Sequence, residues 1–488
     1  MKQLKDILYR VSLEEVIGRT DQDINAIHFD SREIKTNDCF VAIDGEKANG
    51  HDFIEKAVEL GATAVICEEM PKNISNDVTY VRVNDSRQAL AYMANHYYDS
   101  PSKSLKLIGV TGTNGKTTTT SLMYQLFQNL GFPVGLISTV VIKINEKSIS
   151  TSLTTPDSLT INKHMRDMVD AGVEYCFMEV SSHGIDQKRT LGLDFDVAAF
   201  TNLSHDHLDY HHSFAEYRDV KKRLFDQLPK TAVAVSNKDD KNGEFILQNT
   251  SAKKVFYGIK TIADFRAKIL EKSFEGLKLE LNGLEVWSRF IGDFNVYNLL
   301  AVYAVASQFD LSELEIVEAL TKLEPVAGRF QHLVSPKKKV HAVVDYAHTP
   351  DALENVLKTL NSIRTNNETL TTIVGCGGNR DKTKRPVMGN IATSLSTQVI
   401  FTSDNPRFEN PDEIIDDVEA GVEAQNTSKY IRITDRGQAI KTACKMAQAN
   451  DIILIAGKGH ETYQDVNGVK NDFDDVEHVT TNFKLFNL

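Results

Sequence analysis

Leu107-Ile-Gly-Val-Thr-Gly-Thr-Asn-Gly-Lys-Thr-Thr118 decides the fold of this chain, because it joins an apolar strand to a helix through two glycines. Gly112 and Gly115 let backbone amides face phosphate oxygens, and the amino end of the helix adds partial positive charge. Lys116 can reach the outer phosphates, and Thr117 can hold Mg²⁺. The strict GxxxxGK[ST] pattern is not met, since a valine occupies its first glycine position. The stretch predicts a nucleotide-binding loop.

Strand-like runs alternate with helical stretches on both sides of this loop, which is typical of α/β domains. Polar breaks at 99–104 and 334–339 divide the 488-residue chain into three parts. We expect a small α/β domain at residues 1–104, a central phosphate-loop domain with a doubly wound, mostly parallel sheet at 105–333, and a Rossmann-like α/β domain at 334–488.

The predicted strands place polar motifs at one edge of each sheet. Those of the central domain are Leu105–Thr111, Pro133–Ser138, Glu174–Val180, Val197–Leu203 and Ala232–Ser236. Those of the third domain, each followed at once by a polar or glycine-rich motif, are Ala342–Tyr346, Thr371–Cys376, Val399–Ser403 and Ile452–Ala456. Open α/β sheets bind ligands at the carboxyl ends of their strands, so we expect a site there.

Composition and charge exclude several classes of protein. Hydrophobic residues make up 41% and charged residues 25% of the chain, which is ordinary globular usage. The net charge of -12 argues against a broad nucleic-acid or membrane-surface footprint. The five cysteines form no CxxC pair, and the amino terminus lacks the apolar core of a signal peptide. We expect a cytoplasmic monomer with no nucleic-acid or membrane partner.

Carboxylate and imidazole groups follow two of the central strands. Glu179 lies near the end of its strand, where a buried carboxylate needs a cation or a donor. The next strand leads into Thr201-Asn-Leu-Ser-His-Asp-His-Leu-Asp-Tyr-His211. Each histidine alone favours a capped or solvent-facing side chain, but the cluster favours a metal site with Glu179 and His207 as ligands. Oxygen donors beside a phosphate loop favour Mg²⁺ over zinc.

The chain resembles the Mur ligases, ATP-dependent amino-acid ligases of peptidoglycan precursor synthesis, through GTNGKTT, MEVSSHG and TNLSHDHLDYH in this order. Further motifs narrow the resemblance to the MurE type: Asp30-Ser-Arg32, Cys39-Phe-Val-Ala42, Thr154-Thr-Pro156, Gly375-Cys-Gly-Gly-Asn-Arg-Asp381, Asp404-Asn-Pro-Arg407 and Gly457-Lys-Gly-His-Glu461. Such a series is far more specific than one phosphate loop. The resemblance spans all three predicted domains.

The resemblance implies the residues that meet two of the substrates. ATP would be bound by Gly112, Thr113, Asn114, Gly115, Lys116, Thr117, Thr118, Asn295, Asn298, Arg329 and Asp345. The precursor UDP-N-acetylmuramoyl-L-alanyl-D-glutamate would be bound by Ser31, Thr154, Thr155, Ser181, Gln187 and Arg189. From the bare sequence, Ser31 favours a capped turn and the two asparagines favour helix caps. The family usually has glutamate where Gln331 stands.

Lys221 matches the carbamylated lysine of the family, N6-carboxylysine. Addition of CO₂ to the neutral amine creates an anion, whereas an ammonium beside Mg²⁺ is disfavoured. Without the alignment, Lys221 is typical of a solvated helix lysine, and a slip to Lys222 turns the side chain about 100° around the helix. The resemblance therefore implies that Lys116, Glu179, His207 and Lys221 are catalytic, and that Thr117, Glu179, His207 and carbamylated Lys221 hold the metal.

Arg407 is the most informative residue about the incoming amino acid. A guanidinium suits a planar carboxylate and repels a terminal ammonium, so the pocket favours a diamino acid with a second carboxylate. In the family this motif accompanies meso-diaminopimelate, which implies a pocket made of Arg380, Asp404, Asn405, Pro406, Arg407, Gly457 and Glu461. Asp404 and Glu461 would take the ammonium groups. The alternative without a binding role is that Asp404-Asn-Pro-Arg407 is a simple turn and Arg407 a surface residue.

The resemblance implies that ATP phosphorylates the D-glutamate γ-carboxylate and that the amine of diaminopimelate attacks the resulting acyl phosphate. The third domain would close on the second to assemble the site. Three alternatives remain open: an L-lysine-adding ligase of the same type, a ligase like folylpolyglutamate synthetase, and a non-ligating P-loop ATPase or nucleotide sensor.

Overall fold

The structure is a computed structural model that describes residues 1–45, 48–151, 153–204 and 210–488. Its large sheets have five, eleven and six strands. Helices cover the faces of each sheet, and the sheets follow one another along the chain. The arrangement is the three-part α/β architecture that the sequence predicts.

The N-terminal part is built on the five-stranded sheet, in the order β2-β7-β6-β5-β4 with β2 antiparallel. One face of the sheet packs on helix α3 (Ser86–Tyr97) through Leu90 and Met93, and the other face packs on helix α2 (Ile54–Glu59) through Ile54. Its elements are β1 (Lys2–Gln3), α1 (Leu4–Ile7), β2 (Leu13–Ile17), β3 (Asp23–Ile24), β4 (Ile27–His28), β5 (Asp38–Val41), α2 (Ile54–Glu59), β6 (Ala62–Cys67), β7 (Thr79–Val83) and α3 (Ser86–Tyr97).

The central part is built on the eleven-stranded sheet, in the order β11-β10-β9-β12-β8-β13-β14-β15-β16-β17-β18. Its elements are β8 (Lys106–Thr111), α4 (Lys116–Asn129), β9 (Val134–Ile137), β10 (Ile142–Ile144), β11 (Lys147–Ile149), α5 (Ser158–Asp170), β12 (Tyr175–Glu179), α6 (Ser182–Asp186), β13 (Val197–Phe200), α7 (Phe214–Asp226), β14 (Val233–Asn237), α8 (Gly243–Ile246), β15 (Lys253–Gly258), β16 (Phe265–Ser273), β17 (Gly276–Leu281), β18 (Leu284–Ser288), α9 (Asp293–Ala306) and α10 (Glu313–Thr321).

Across the middle of the sheet, in the order β9-β12-β8-β13-β14-β15-β16, every neighbouring pair of strands is parallel. This confirms the predicted doubly wound sheet. Both ends of the sheet are antiparallel, and the sequence reading did not predict them. Leu277, Leu279 and Leu281 of β17 are buried on one face, so an alternating pattern was present there. Helix α9 is apolar on nearly all sides and lies in the core, which explains its lack of a polar stripe.

The C-terminal part is built on the six-stranded sheet, in the order β19-β20-β24-β21-β22-β23 with β19 antiparallel. Its elements are β19 (Gln331–Val334), β20 (His341–Asp345), α11 (Pro350–Ile363), β21 (Leu370–Val374), α12 (Lys384–Leu395), β22 (Gln398–Phe401), α13 (Pro411–Glu419), β23 (Tyr430–Arg432), α14 (Arg436–Met446), β24 (Ile452–Ala456), β25 (Tyr463–Val466), β26 (Val469–Asp472) and α15 (Asp475–Leu485). The expected division between residues 333 and 334 falls inside β19, which pairs with this sheet. Among the residues described, the helices are all too short or too polar to span a bilayer.

A buried ion pair ties two helices of the C-terminal part to its sheet. Arg436, at the start of α14, donates from Nε and Nη2 to the carboxylate of Asp475, at 2.8 and 2.7 Å, and Asp475 begins α15. The same Nη2 donates to the carbonyl of Ala456 at the end of β24. Both side chains are fully buried, so each charge depends on the other for compensation.

Asp475→Ala leaves the Arg436 guanidinium buried beside no carboxylate, and we expect it to lower the free energy of unfolding by about 3–5 kcal/mol. Urea denaturation followed by circular dichroism measures the change. Asp472→Ala, in the exposed strand β26, is the control and should stay within about 0.5 kcal/mol of the parent. Equal stability of both variants would contradict this account of the pair.

Candidate functional site

The phosphate loop connects β8 to α4 and touches two neighbouring elements. Gly115 precedes the helix with φ +86°, a left-handed conformation that favours glycine. A Cβ at Gly115 would lie 2.6 Å from Oδ1 of Asn298, and one at Gly112 would lie 2.0 Å from Oγ1 of Thr201. The loop therefore rests directly on α9 and on the end of β13, with no room for side chains at the two glycines.

Two lysines converge on one carbonyl oxygen of this loop. Lys116 Nζ donates to the carbonyls of Gly112 and Thr113, at 2.9 and 2.8 Å. Lys221 Nζ, on α7, donates to the same Gly112 oxygen at 2.8 Å and is only 1% exposed. Lys222 points elsewhere and pairs with Asp226 at 2.5 Å. Lys221 is thus the lysine of this helix that faces the loop, and it is buried rather than solvated.

Glu179 ends β12 beneath the loop and is fully buried. Thr139 donates to it from both its amide, at 2.8 Å, and its hydroxyl, at 3.1 Å. Thr117 Oγ1 donates to Glu179 Oε2 at 3.0 Å and accepts from Arg329 Nη2 at 3.1 Å. These contacts link the turn just before β19 to the phosphate loop and the loop to the carboxylate.

The donor set beside the loop fits a hard divalent cation. The Thr117 hydroxyl and the Glu179 carboxylate are oxygen ligands, 3.0 Å apart, of the kind that Mg²⁺ prefers. His207 lies outside the described residues. Within the described ranges, no group of three or more histidine, cysteine, aspartate or glutamate side chains is arranged to hold a metal.

A cavity of about 500 Å³ lies beside the loop. Of the residues expected at ATP, its lining includes Asn114, Gly115, Thr118, Asn295, Asn298, Arg329 and Asp345. Asn298 Nδ2 donates to Asn295 Oδ1 at 3.0 Å, and Asn295 Nδ2 donates to the carbonyl of Ile291 at 2.9 Å. Both asparagines line the cavity, and Asn295 also bonds the backbone one helical turn earlier.

Asp345 and Arg329 bring the C-terminal part to this cavity. Asp345 accepts from the amide of Phe330 at 2.6 Å, and burial raises its pKa to about 6 although the Arg329 charge opposes the rise. Arg329 lies over the ring of Tyr346, 4.4 Å from its centroid. Burial and Arg329 together lower the pKa of His460 to about 4, so this imidazole is neutral at pH 7. Gln331 accepts from the amide of Gly328 and so shapes the turn that carries Arg329.

A second cavity, of about 1280 Å³, lies between the central and C-terminal parts. Of the residues expected at the precursor and the amino acid, its lining includes Thr154, Thr155, Ser181, Arg189, Arg380, Asp404, Asn405, Arg407, Gly457 and Glu461. Lys116 lines the same space. Two sets of residues that are far apart in sequence thus share one cavity next to the phosphate loop.

The precursor-side residues form a network around the carboxyl end of β12. Thr155 donates to the carbonyl of Glu179 and accepts from the amide of Ser181, both at 2.9 Å. Arg189 donates to the carbonyl of Thr155 at 2.6 Å and to Gln187 Oε1 at 2.7 Å. Gln187 is in this network but not in the cavity lining. The network fixes the wall that faces the amino-acid side.

Ser31 lies apart from this network, in the N-terminal part. It begins a 3₁₀ turn that Asp30 caps by accepting from the amide of Arg32 at 3.0 Å. The capped turn that the bare sequence favours is therefore present, and Ser31 is nearly buried in it. The structure does not bring Ser31 into either cavity.

The amino-acid side is built from two loops and a hairpin. Arg407 has φ +51°, and its Nη1 donates to the carbonyl of Gly378 at 2.7 Å, in the loop that carries Arg380. Its amide donates to the carbonyl of Asp465 at 3.0 Å, and its carbonyl accepts from Asn467 at 2.7 Å. The β25–β26 hairpin thus fixes the backbone of Arg407. Pro406 is buried in this loop and is not in the cavity lining.

Sequence reasoning missed several residues of the two cavities. Thr139 holds Glu179, and Asp351 accepts from Asn114 Nδ2 at 2.8 Å across the two parts of the chain. Tyr346, His460 and Lys458 are also at or beneath the cavities, and Lys458 is fully buried. His460 and Lys458 belong to the motif Gly457-Lys-Gly-His-Glu461, and this motif was the sequence signal that could have pointed to them.

Comparison with known families covers most of the chain. The Mur ligase family catalytic domain matches residues 23–98, the Mur ligase middle domain matches 110–306, and the Mur ligase glutamate ligase domain matches 328–459.

Curated relatives match almost end to end. The UDP-N-acetylmuramoyl-L-alanyl-D-glutamate--2,6-diaminopimelate ligase of Phocaeicola vulgatus is 50% identical over 475 residues, 97% of this chain and 98% of that protein. The protein of the same name from Cytophaga hutchinsonii is 49% identical over 474 residues, 97% of each.

Solved structures agree in fold. A structure of a ligase of that name has a TM-score of 0.71 at 34% identity and covers 100% of this chain and 99% of its own. The MurF ligase of Thermotoga maritima in complex with ADP has a TM-score of 0.61 at 19% identity, over 94% of this chain and 97% of its own, which is a likeness of fold.

The contact between Gly115 and Asn298 predicts the effect of a methyl group. Gly115→Ala should weaken binding of a fluorescent ATP analogue about tenfold or more, because the added Cβ overlaps Asn298 as well as straining the backbone. Gly131→Ala is a matched control, since Gly131 has φ +89° with nothing within 4 Å of its Cβ position. Equal affinities of the two variants would contradict the steric account.

Proposed function

The chain belongs to the Mur ligase family, and from this premise we propose that it joins meso-diaminopimelate to the D-glutamate γ-carboxyl of UDP-N-acetylmuramoyl-L-alanyl-D-glutamate, with hydrolysis of ATP, in peptidoglycan precursor synthesis. Relatives about half identical over nearly the whole chain carry the name of this reaction. The larger cavity is the observation that carries the proposal, because most of the residues expected at the precursor and at the amino acid line it together with Lys116.

ATP binds in the smaller cavity in this proposal. Its phosphates lie on Gly112–Thr118, and the base side meets Asn295 and Asn298. Arg329 and Asp345 approach from the C-terminal part of the chain. Helix α4 begins at Lys116, so its amino end would direct backbone amides and partial positive charge towards the phosphates. Lys116 would leave the carbonyls of Gly112 and Thr113 to meet the transferred phosphoryl group.

In this proposal Thr117, Glu179, His207 and carbamylated Lys221 would hold Mg²⁺. When bound, the ion supplies positive charge against the negative charge of the phosphates. Thr139 orients Glu179 through two hydrogen bonds, so the carboxylate is fixed before any ligand arrives.

Asp345 is mostly ionised at neutral pH, since its pKa is about 6, and it holds the turn that carries Arg329.

Carbamylation of Lys221 is supported by its position. Its ammonium and that of Lys116 are both within 2.9 Å of the Gly112 carbonyl oxygen, and Lys221 is almost fully buried. Carbamylation requires the neutral amine of Lys221. That amine can add CO₂, losing a proton, and the resulting carbamate is an anion close to Lys116.

The amino acid and the precursor meet across the larger cavity. Arg407 and Arg380 would bind the distal carboxylate of diaminopimelate. Asp404 and Glu461 would bind one of its ammonium groups. Thr154, Thr155, Ser181, Gln187 and Arg189 would hold the muramoyl dipeptide, with the uridine end towards Ser31. The neutral amine then attacks the acyl phosphate carbon, and phosphate leaves. Catalysis rests on positioning, without an enzyme nucleophile.

The three parts act as separate domains in this proposal, residues 1–104 for the precursor, 105–333 for ATP and 334–488 for the amino acid, with the last beginning in β19. Among the contacts between the last two, two side-chain hydrogen bonds involve the phosphate loop: Arg329, two residues before β19, donates to Thr117, and Asn114 donates to Asp351. Because both contacts involve the phosphate loop, ATP phosphates would compete for the same groups. The protein acts as a cytoplasmic monomer in this proposal.

The proposal predicts the amino-acid requirement of the reaction. With Mg²⁺-ATP and the UDP-muramoyl dipeptide, we expect phosphate release with meso-diaminopimelate and at least about tenfold less with L-lysine, because lysine lacks the carboxylate for Arg407. Phosphate release is measured in parallel with a reaction that lacks an amino acid. A preference for lysine would keep the ligase and reject this pocket, whereas no release with either would favour a different substrate class.

Two adjacent lysines give a matched test of the carbamate. Lys221→Met and Lys221→Arg should each lower kcat about 10²-fold or more, since neither side chain can take up CO₂. Lys222→Met should stay within severalfold of the parent, because Lys222 pairs with Asp226 away from the loop. Steady-state phosphate release measures all three. A Lys221→Arg variant as active as the parent would reject carbamylation.

A further inference from the structure

Lys458 is a fully buried lysine two residues after the end of β24. Its Nζ donates to Asn405 Oδ1 at 3.0 Å and to Glu461 Oε2 at 3.2 Å. It also lies 3.6 Å from Asp404 Oδ1. A buried ammonium is costly unless it is paired and hydrogen-bonded, and here its partners are three of the residues proposed to hold the amino acid.

The cluster around Lys458 is closely constrained. Asn405 Nδ2 donates to Glu461 Oε2 at 2.8 Å, and its Oδ1 also accepts from the amide of Asp465 at 2.9 Å. Gly457, with φ +117°, brings the backbone so close that a Cβ would lie 2.6 Å from Asp404 Oδ2. The ring of Tyr463 lies 5.6 Å from the ammonium. Asp404 and Glu461 therefore have little freedom to turn away from Lys458.

The charges of this cluster do not cancel. Asp404 and Glu461 are two carboxylates and Lys458 is the one ammonium bonded among them, so this cluster carries one net negative charge. Arg407 and Arg380 line the same cavity but are proposed to meet the carboxylate of the ligand, and Arg436, which also acts on both carboxylates, is paired with Asp475. Diaminopimelate must bind with one amino group charged, to be held, and the other neutral, to attack. One net negative charge on the ammonium side of the pocket matches that state, whereas two would favour protonation of both amines.

We propose that Lys458 is a positioning residue that sets the net charge and the side-chain orientation of the amino-acid pocket, so that the pocket holds one ammonium and leaves the attacking amine neutral. The inference rests on the proposed function and adds to it a residue that acts through Asp404, Asn405 and Glu461 rather than by touching the reacting atoms.

Neutral substitutions at Lys458 test this role. Lys458→Met removes the charge at similar length, and Lys458→Gln also keeps a hydrogen-bond donor, so one of them serves if the other does not fold. We expect either to raise KM for diaminopimelate about tenfold or more while KM for ATP changes less than about twofold. The rise of kcat with pH should move to higher pH, because the extra negative charge raises the pKa of the bound amine.

Two further variants separate charge from general stability. Lys458→Arg keeps the cation and should restore the pH profile of the parent at least in part. Lys429→Met, in the same part of the chain, removes a half-buried lysine that donates to the carbonyl of Thr393 at 2.9 Å, outside the cavities. It should leave KM for diaminopimelate and the pH profile unchanged. Circular dichroism of every variant checks folding.

Each outcome has one meaning. If the parent turns over diaminopimelate and the folded neutral variants keep its KM and pH profile, the inference on Lys458 is wrong and the proposed function stands. If KM for ATP and diaminopimelate rise together with no change in the pH profile, Lys458 is only structural and the inference is again wrong. If the parent itself fails with diaminopimelate, the proposed function is wrong and the inference falls with it.

Discussion

The carbonyl oxygen of Gly112 is the point on which the rest of the site depends. It accepts from Lys116 and from Lys221, one on the helix that follows the loop and one on a helix about a hundred residues later in the chain. The loop can reach this position only because Gly112 and Gly115 lack a Cβ, which would overlap Thr201 and Asn298. Backbone freedom at two glycines thus allows a buried lysine and a half-buried lysine to meet at one oxygen.

Both cavities adjoin this loop, and each is lined by residues of the central and of the C-terminal part of the chain. Arg329 connects them, since it reaches Thr117 beside Glu179 and stacks on Tyr346. The carboxylates respond differently to this setting: the pKa of Asp345 rises to about 6 by burial, whereas Glu409 is held at a pKa of about 2, chiefly by its bonds to Arg385. Glu409 accepts from the amide of Asn379, next to Arg380, so that loop stays in place over a wide pH range.

Local patterns allowed the loop, the parallel strands and the motifs at their carboxyl ends to be predicted, because strand, turn and glycine signals act over a few residues. The side of α7 that faces the loop was not predictable without an alignment, since Lys221 and Lys222 differ only in the way the helix turns. The burial of Lys458, the contact between Asn114 and Asp351 and the position of Arg329 depend on residues up to two hundred or more positions apart. Such contacts leave no periodic signal in the sequence.

The backbone of Arg407 is held between the carbonyl of Asp465 and the amide of Asn467, and its left-handed φ depends on that hold. The selectivity of the pocket is consequently a shared property of two segments some sixty residues apart. Transplanting the loop around Arg407 into a ligase with another hairpin would carry over the guanidinium but not its direction. A natural change of amino-acid preference therefore requires both segments to vary in concert, and single substitutions in either are expected to yield poor enzymes before they yield different ones.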